Sequence, residues 1–167
     1  SAITDALIRG YQHGGDGLNE ESVVLTVKHF PGDGPSENGF EPHVPIGQWR
    51  LYPTEGSLEK YHLPPFQAAF DAKASAIMPD YSRPTKDGRS VEQVPARYAK
   101  AISAGTDVIG GPIDPENIVK AVEEGLLPKK DLDRANYRRL LSMFRTKRVD
   151  NPYLDIHKAD QARHDNL

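Results

Sequence analysis

Polar side chains follow two short apolar runs of this sequence, where buried strands are expected to end. Lys28 and His29 close the β-branched run 22–29, and Asp80 and Tyr81 follow the apolar run 74–78. A lysine ammonium donates hydrogen bonds, and an imidazole can donate or accept one. The adjacent pair can therefore bind neighbouring oxygen atoms of a ligand without competing for them. Ligands of parallel α/β folds bind at the carboxyl ends of the strands, so these side chains are candidates for a binding site.

Each of these residues also has a plain structural interpretation. A solvated strand end would accommodate Lys28 and His29, and Met78 is a typical core residue. Asp33 and Glu37 suit turns in which a carboxylate accepts backbone N–H groups. These alternatives stay open on the residue types alone.

The sequence offers no metal or cofactor motif. It contains no cysteine, which excludes disulfides, thiolate metal sites and a cysteine nucleophile. His43 and His62 have no second imidazole or carboxylate at metal-ligand spacing, so we expect them at a loop and at a helix start. Gly110 and Gly111 lack the lysine and the glycine pattern of a phosphate-binding loop. We therefore expect neither a metal nor a cofactor.

Composition limits the partners further. The formal net charge is -3, from 21 basic and 24 acidic residues that are well mixed along the chain. No basic patch suggests binding to nucleic acid or to an anionic membrane. No apolar run approaches the roughly 20 residues that span a bilayer, so we expect a soluble chain. Its compartment stays open between cytoplasm and secretion, because a removed signal peptide leaves no trace.

Helix and strand patterns alternate along the chain. Short apolar runs predict strands over 22–29, 74–78 and 106–110. Apolar residues spaced three and four apart predict helices over 2–12, from about residue 64, and over 95–104, 115–124 and 129–145. The Gly- and Pro-rich stretch 30–54 predicts a long loop, and a polar tail occupies 151–167. Alternation of this kind is typical of parallel βαβ units.

The most specific motif is Val27-Lys28-His29-Phe30-Pro31-Gly32-Asp33-Gly34. It resembles the Lys-His-Phe segment of glycoside hydrolase family 3, where a lysine and a histidine at the end of a barrel strand bind the hydroxyl groups of the sugar being cleaved. The resemblance implies that Lys28 and His29 bind substrate. Vicinal hydroxyls of a pyranose suit such a pair.

Further segments resemble the same family in the same order. The stretches 61–70 and 75–79 are similar to its next helix and strand, which implies that Met78 and Tyr81 lie near the sugar. The stretches 104–109, 122–125, 138–144 and 150–153 are similar to its last strand and terminal helices. N-acetylhexosaminidases of the family carry a histidine in the Pro-Gly loop, whereas this sequence has Asp33 after Pro31-Gly32. The resemblance therefore favours the β-glucosidase type.

The catalytic carboxylates of the family have no recognisable counterpart. A retaining glycosidase needs two carboxyl groups about 5–5.5 Å apart. In the family the nucleophile is an aspartate ending a strand that should fall between Tyr81 and Val94, and no apolar run is found there. Asp80 is a poor replacement because it comes one strand early in the family's order. The acid/base glutamate usually comes from a second domain, so the catalytic residues are unknown.

These observations predict the fold class α/β, as a partial TIM barrel with about three parallel strands and flanking helices. Residues 1–167 would form a single partial barrel domain that ends in the tail 151–167. The first functional hypothesis is a parent β-glucosidase that hydrolyses terminal β-D-glucosidic bonds, with this chain carrying part of the sugar site. The alternative is a catalytically inactive binding module, whose exposed strand edges favour pairing with a second copy.

Overall fold

The computed structural model of the chain describes residues 1–52, 54–82, 95–110, 115–153 and 155–165. The described residues contain two strands, β1 (Thr26–Phe30) and β2 (Ala76–Pro79). They also contain the helices α1 (Ala2–Tyr11), α2 (Leu63–Asp71), α3 (Pro95–Ser103), α4 (Pro115–Glu123), α5 (Lys129–Arg145) and α6 (Ile156–Asp165). Two 3₁₀ turns, Glu37–Gly39 and Pro45–Gly47, and a π-helical turn, Leu58–His62, lie between β1 and α2. The chain is therefore an α/β protein.

The two strands pair in parallel, with α2 in the connection between them. Thr26 stands opposite Ala76 and Lys28 opposite Met78, and the register becomes irregular before Phe30. The pairing continues past the strand ends, because the backbone N–H of Asp80 donates to the carbonyl of Phe30 at 2.8 Å. The carboxyl ends of both strands consequently lie together.

A first core packs the sheet against α1 and α2. Ile8 and Ala69 are buried at 2% and 0% exposure, and Ala72 is buried beside them. Partly buried side chains from the strands and their approaches complete this cluster: Leu25, Val27, Ala74 and Ile77. Alanine at the inner positions of α2 lets that helix lie close to the strands, which is how a short helix covers a two-stranded sheet.

A second core lies among α3, α4 and α5. Its buried members are small or aliphatic side chains: Ala99, Ile102, Ala121, Leu127 and Ala135. The predicted helices of this part are confirmed, and the bounds of α5 agree with the prediction at both ends. Within this core α3 packs against both α4 and α5, and each helix turns its apolar face inward.

The strands differ from the sequence predictions in two details. The stretch 106–110 is not a strand, and Val108 is 65% exposed, so the described residues contain two strands rather than three. The first strand begins at Thr26, because Val23 and Val24 are about half exposed and have no neighbouring strand in the part of the chain that the structure describes. A strand forms only where a second backbone receives its hydrogen bonds.

The other differences concern the ends of the fold. The described strands form a two-stranded parallel sheet, which agrees with an α/β class, while the partial barrel stays a prediction. Part of the tail 151–167 forms the exposed helix α6 instead of an irregular extension. Within the part of the chain that is described, every helix is too short or too polar to cross a bilayer.

Candidate functional site

A pocket of about 200 Å³ opens at the carboxyl ends of β1 and β2. It lies between the strand ends and the loop that follows β1. Seven residues line it, nearly all of them polar or aromatic: His29, Asp33, Glu41, Pro42, His43, Asp80 and Tyr81. The site therefore occupies the edge of the sheet at which parallel α/β folds bind ligands.

His29 is held in this pocket by Asp33. Its Nδ1 lies 2.8 Å from Oδ2 of Asp33, and its side chain is 22% exposed. Since a carboxylate only accepts hydrogen bonds, this contact places a proton on Nδ1. In the neutral imidazole Nε2 is then an acceptor, which suits a hydroxyl group of a ligand.

Arg50 lies behind His29 and joins two carboxylates. Its side chain is 1% exposed. Nε and Nη2 donate to Oδ2 of Asp80 at 3.0 and 2.5 Å, and Nη2 also donates to Oδ1 of Asp33 at 3.1 Å. The contacts form a continuous chain from the end of β2 through Arg50 and Asp33 to His29. Charge-assisted contacts of this kind are stronger than neutral ones.

Asp80 is a poor candidate for a nucleophile in this geometry. Its side chain is 3% exposed, and Oδ1 accepts the backbone N–H of Ser82 at 2.7 Å while Oδ2 is bound by Arg50. Burial raises the pKa of Asp80, but its interactions with Asp33, Ser82 and Arg50 outweigh burial and lower the pKa from 3.8 to about 2. The carboxylate is an anion whose two oxygens are both hydrogen-bonded, so it suits a structural role better than the role of a nucleophile.

The pocket lining contains a second imidazole and carboxylate pair. Nδ1 of His43 lies 2.5 Å from Oε1 of Glu41, and this hydrogen bond lowers the pKa of the Glu41 carboxyl. The ring of His43 meets the ring of Tyr81 edge to face, with 4.9 Å between centroids. Tyr81 is 47% exposed, which leaves part of its aromatic surface open to a ligand.

The four residues predicted to bind substrate occupy two places. His29 and Tyr81 line the pocket together. Lys28 and Met78 face each other across the paired strands, next to the pocket, but are not among the described residues that line it. The predicted gap at the nucleophile strand falls on residues 83–94, which lie outside the described residues.

Sequence reasoning missed Arg50 and gave His43 only a loop role. Neither residue belongs to a local pattern: both lie in the long loop, whose length was the one available signal. The loop folds back through an isolated antiparallel bridge between Ser36 and Arg50. It also packs Gly47 directly on the backbone of Glu41, where no side chain would fit. Tertiary contacts therefore bring His43 into the pocket and place Arg50 against Asp33 and Asp80, which line it.

Within the described part of the chain, no group of three His, Cys, Asp or Glu side chains is arranged to hold a metal ion. The pocket lining belongs to one stretch of sequence, and a family profile covers that stretch. Residues 2–98 match the N-terminal domain of glycosyl hydrolase family 3.

The chain belongs to this family.

Several relatives are β-glucosidases by name. The probable beta-glucosidase C of Aspergillus oryzae is 33% identical over 205 residues, which cover 93% of this chain and 32% of the relative. The beta-glucosidase C of Emericella nidulans is 32% identical over 213 residues, which cover 96% of this chain and 34% of the relative. The periplasmic beta-glucosidase/beta-xylosidase of Dickeya chrysanthemi is 26% identical over 226 residues, which cover 95% of this chain and 34% of the relative. The chain thus spans about a third of the length of these relatives.

The match to this glycosyl hydrolase family has two further features. All seven pocket residues lie within 2–98, so the site and the family match coincide. The similarity to the Aspergillus oryzae relative extends over 205 residues, more than the 167 residues of this chain, so some positions of the relative have no counterpart here.

Proposed function

We propose that this chain supplies part of the sugar-binding site of a retaining β-glucosidase, which hydrolyses terminal β-D-glucosidic bonds. One observation carries the proposal. His29, in the Lys-His-Phe motif of the family, has its Nδ1 bound by Asp33 and lines a pocket at the carboxyl end of β1. Family membership and the names of the relatives support the glycosidase class.

The pocket has the chemistry that a non-reducing sugar requires. Its imidazoles and carboxylates accept hydrogen bonds from hydroxyl groups, and Lys28, next to His29 on β1, would add an ammonium donor beside the pocket. The half-exposed ring of Tyr81 offers an apolar surface to the C–H groups of a pyranose. A volume of about 200 Å³ is below the roughly 300–1,000 Å³ typical of drug-sized ligands. The site therefore suits one sugar ring rather than an oligosaccharide.

Catalysis requires residues beyond this site. A retaining mechanism needs a nucleophilic carboxylate and an acid/base carboxyl group about 5–5.5 Å apart. Asp80 is buried and bound through both oxygens, so it does not fill the first role. In our proposal the acid/base carboxyl group belongs to an accompanying domain of the parent protein, and the nucleophile belongs to a strand for which the sequence between Tyr81 and Val94 has no counterpart. This chain contributes Lys28, His29, Met78 and Tyr81 to substrate binding.

A titration with D-glucose tests the sugar site. We expect saturable shifts in the NMR signals of His29 and Tyr81 in the ¹⁵N-labelled chain. His29→Ala should raise the dissociation constant about threefold to tenfold, the effect of losing one hydrogen bond of roughly 0.5–1.5 kcal/mol. His13→Ala is the matched control, because His13 is exposed and lies outside the pocket.

Two outcomes contradict the sugar site. In the first, glucose shifts signals only away from the pocket. In the second, the His29 and His13 variants bind glucose as well as the unchanged chain does.

A second candidate function is self-assembly, and the exposed apolar surface favours it. On α1, Ile3, Leu7 and Tyr11 form one stripe and are 76%, 54% and 55% exposed. The two-stranded sheet also leaves both outer strand edges without a partner strand among the described residues. A second copy of the chain would cover the stripe and complete the sheet. In this alternative the chain is a binding or assembly module.

A further inference from the structure

Arg50 occupies an unusual place for a cation. Its guanidinium is 1% exposed, yet it lies at the end of the sheet and makes no part of the pocket lining among the described residues. Its contacts are the two carboxylates of Asp80 and Asp33, and Nη1 is buried without a hydrogen-bond partner in the described structure. The residue is therefore enclosed between the strand end and the loop.

Stability alone gives little reason for this arrangement. Removing a cation from water is costly, and buried ion pairs replaced by apolar side chains of similar size often leave a protein equally stable or more stable. The unpaired Nη1 adds to the cost. The arrangement instead fixes the orientation of the two carboxylates, because a planar guanidinium sets the orientation of each carboxylate it binds.

The orientation of Asp33 matters for His29. Asp33 is 49% exposed, so its carboxylate would be free to turn toward solvent without a second contact. Arg50 holds Oδ1, which leaves Oδ2 directed at Nδ1 of His29. That contact decides which ring nitrogen carries the proton and which one accepts from a ligand.

We propose that Arg50 is a positioning residue of the sugar site, which acts through Asp33 to keep the proton of His29 on Nδ1 and Nε2 free to accept a hydroxyl. This inference rests on the proposed function for its ligand, while the effect on the imidazole is a property of the chain alone. Asp80 supports it from the other side by anchoring Arg50 to the end of β2. Arg50 itself does not touch the substrate.

The test compares Arg50→Met/Asp80→Asn with Asp80→Asn alone. The double variant removes both buried charges together, so it leaves no unpaired Asp80, while the single variant keeps Arg50 on Asp33. Two-bond ¹H–¹⁵N correlation spectra, recorded at a pH where the imidazole is neutral, show which nitrogen of His29 is protonated. We expect the ratio of the Nδ1–H to the Nε2–H form to fall about tenfold or more in the double variant, the effect of losing a contact to a charged group. The single variant keeps the contact of Arg50 with Asp33 and should retain more of the Nδ1–H form than the double variant does.

A second variant covers the case in which the double variant does not fold. Arg50→Lys retains a buried positive charge but loses the planar fork, and we expect it to mix the two tautomers. Arg134→Lys is the matched control, since Arg134 pairs with Asp131 at 2.8 Å on α5, outside the pocket. Retention of the Nδ1–H form in a folded Arg50 variant overturns the inference.

A D-glucose titration of the same variants separates this inference from the proposed function. We expect a dissociation constant about threefold to tenfold higher in the double variant than in Asp80→Asn. Equal glucose binding by these two variants overturns the positioning role and leaves the sugar site standing. Loss of the tautomer preference in a chain that binds no glucose at all supports the positioning role and overturns the sugar site.

Discussion

At the end of β2, one carboxylate oxygen of Asp80 accepts a hydrogen bond from the backbone N–H of Ser82, and the other accepts from the guanidinium of Arg50. An aspartate that follows a barrel strand is a natural candidate for catalysis. A nucleophile, however, needs an oxygen free to approach the substrate, and a buried anion held by a guanidinium has none. The partners of a carboxylate therefore decide its role more than its position at the strand end does.

The lowered pKa of Asp80 makes stability depend on pH in acid. Because the pKa is about 2 in the folded chain and ordinarily 3.8, the ionised group stabilises the fold above about pH 4. This contribution, about 2 kcal/mol, is lost as the pH falls toward 2. We expect the difference in unfolding free energy between the unchanged chain and Asp80→Asn to shrink between pH 4 and pH 2, measured by urea denaturation.

The exposed Asp71 provides the control for this experiment, because its hydrogen bond comes from the neutral Gln67 on the same helix. Asp71→Asn should change the unfolding free energy little at any of these pH values. An Asp80→Asn difference that stays constant from pH 6 to pH 2 would contradict the lowered pKa of Asp80.

The elements of the first core are tied together by one buried side chain. Gln12, directly after α1, is fully buried; its Nε2 donates to the carbonyl of Lys73, and its Oε1 accepts the backbone N–H of Ser75. Its own carbonyl accepts the hydroxyl of Ser22 at 2.6 Å. One glutamine thus joins the end of α1 to the approaches of both strands. The position of α1 against the sheet depends on polar contacts as well as on Ile8.

Removal of this side chain tests the connection. Gln12→Ala leaves the carbonyl of Lys73 and the N–H of Ser75 without partners, and each such loss costs about 1–3 kcal/mol when the group stays buried. We expect the unfolding free energy to fall by at least about 1 kcal/mol. Gln67→Ala is the control, because Gln67 is exposed and its amide donates a surface hydrogen bond to Asp71 on the same helix. Equal effects of the two substitutions would show that the buried amide does not hold α1 in place.

At the scale of the whole molecule, many large apolar side chains are exposed among the described residues, including those of the stripe on α1. The family match ends at residue 98, the chain spans about a third of its named relatives, and the stripe on α1 lies in the matched part. In a complete barrel, neighbouring strands and helices would cover such a stripe. The chain by itself must expose it or bury it against another molecule.

We therefore expect the isolated chain to self-associate. Light scattering should give a mass above the 18.5 kDa of one chain, and Leu7→Glu should weaken association about tenfold or more, since it removes a leucine contact of roughly 1.5–3 kcal/mol. Val119→Glu on α4 is the control, with 53% exposure at a site outside the stripe. A single-chain mass at every concentration would contradict the assembly hypothesis.

The sequence by itself determined the local elements and the family. Apolar spacing predicted α5 at its observed bounds, and the Lys-His-Phe motif with its neighbours led to glycosyl hydrolase family 3, because both signals lie in consecutive residues. Only the tertiary structure decided that 106–110 is not a strand, since a strand depends on a partner elsewhere in the chain. It also decided that Arg50, 21 positions after His29, orders that imidazole through Asp33. Contacts between distant residues follow from how the loop folds back, and no local spacing encodes them.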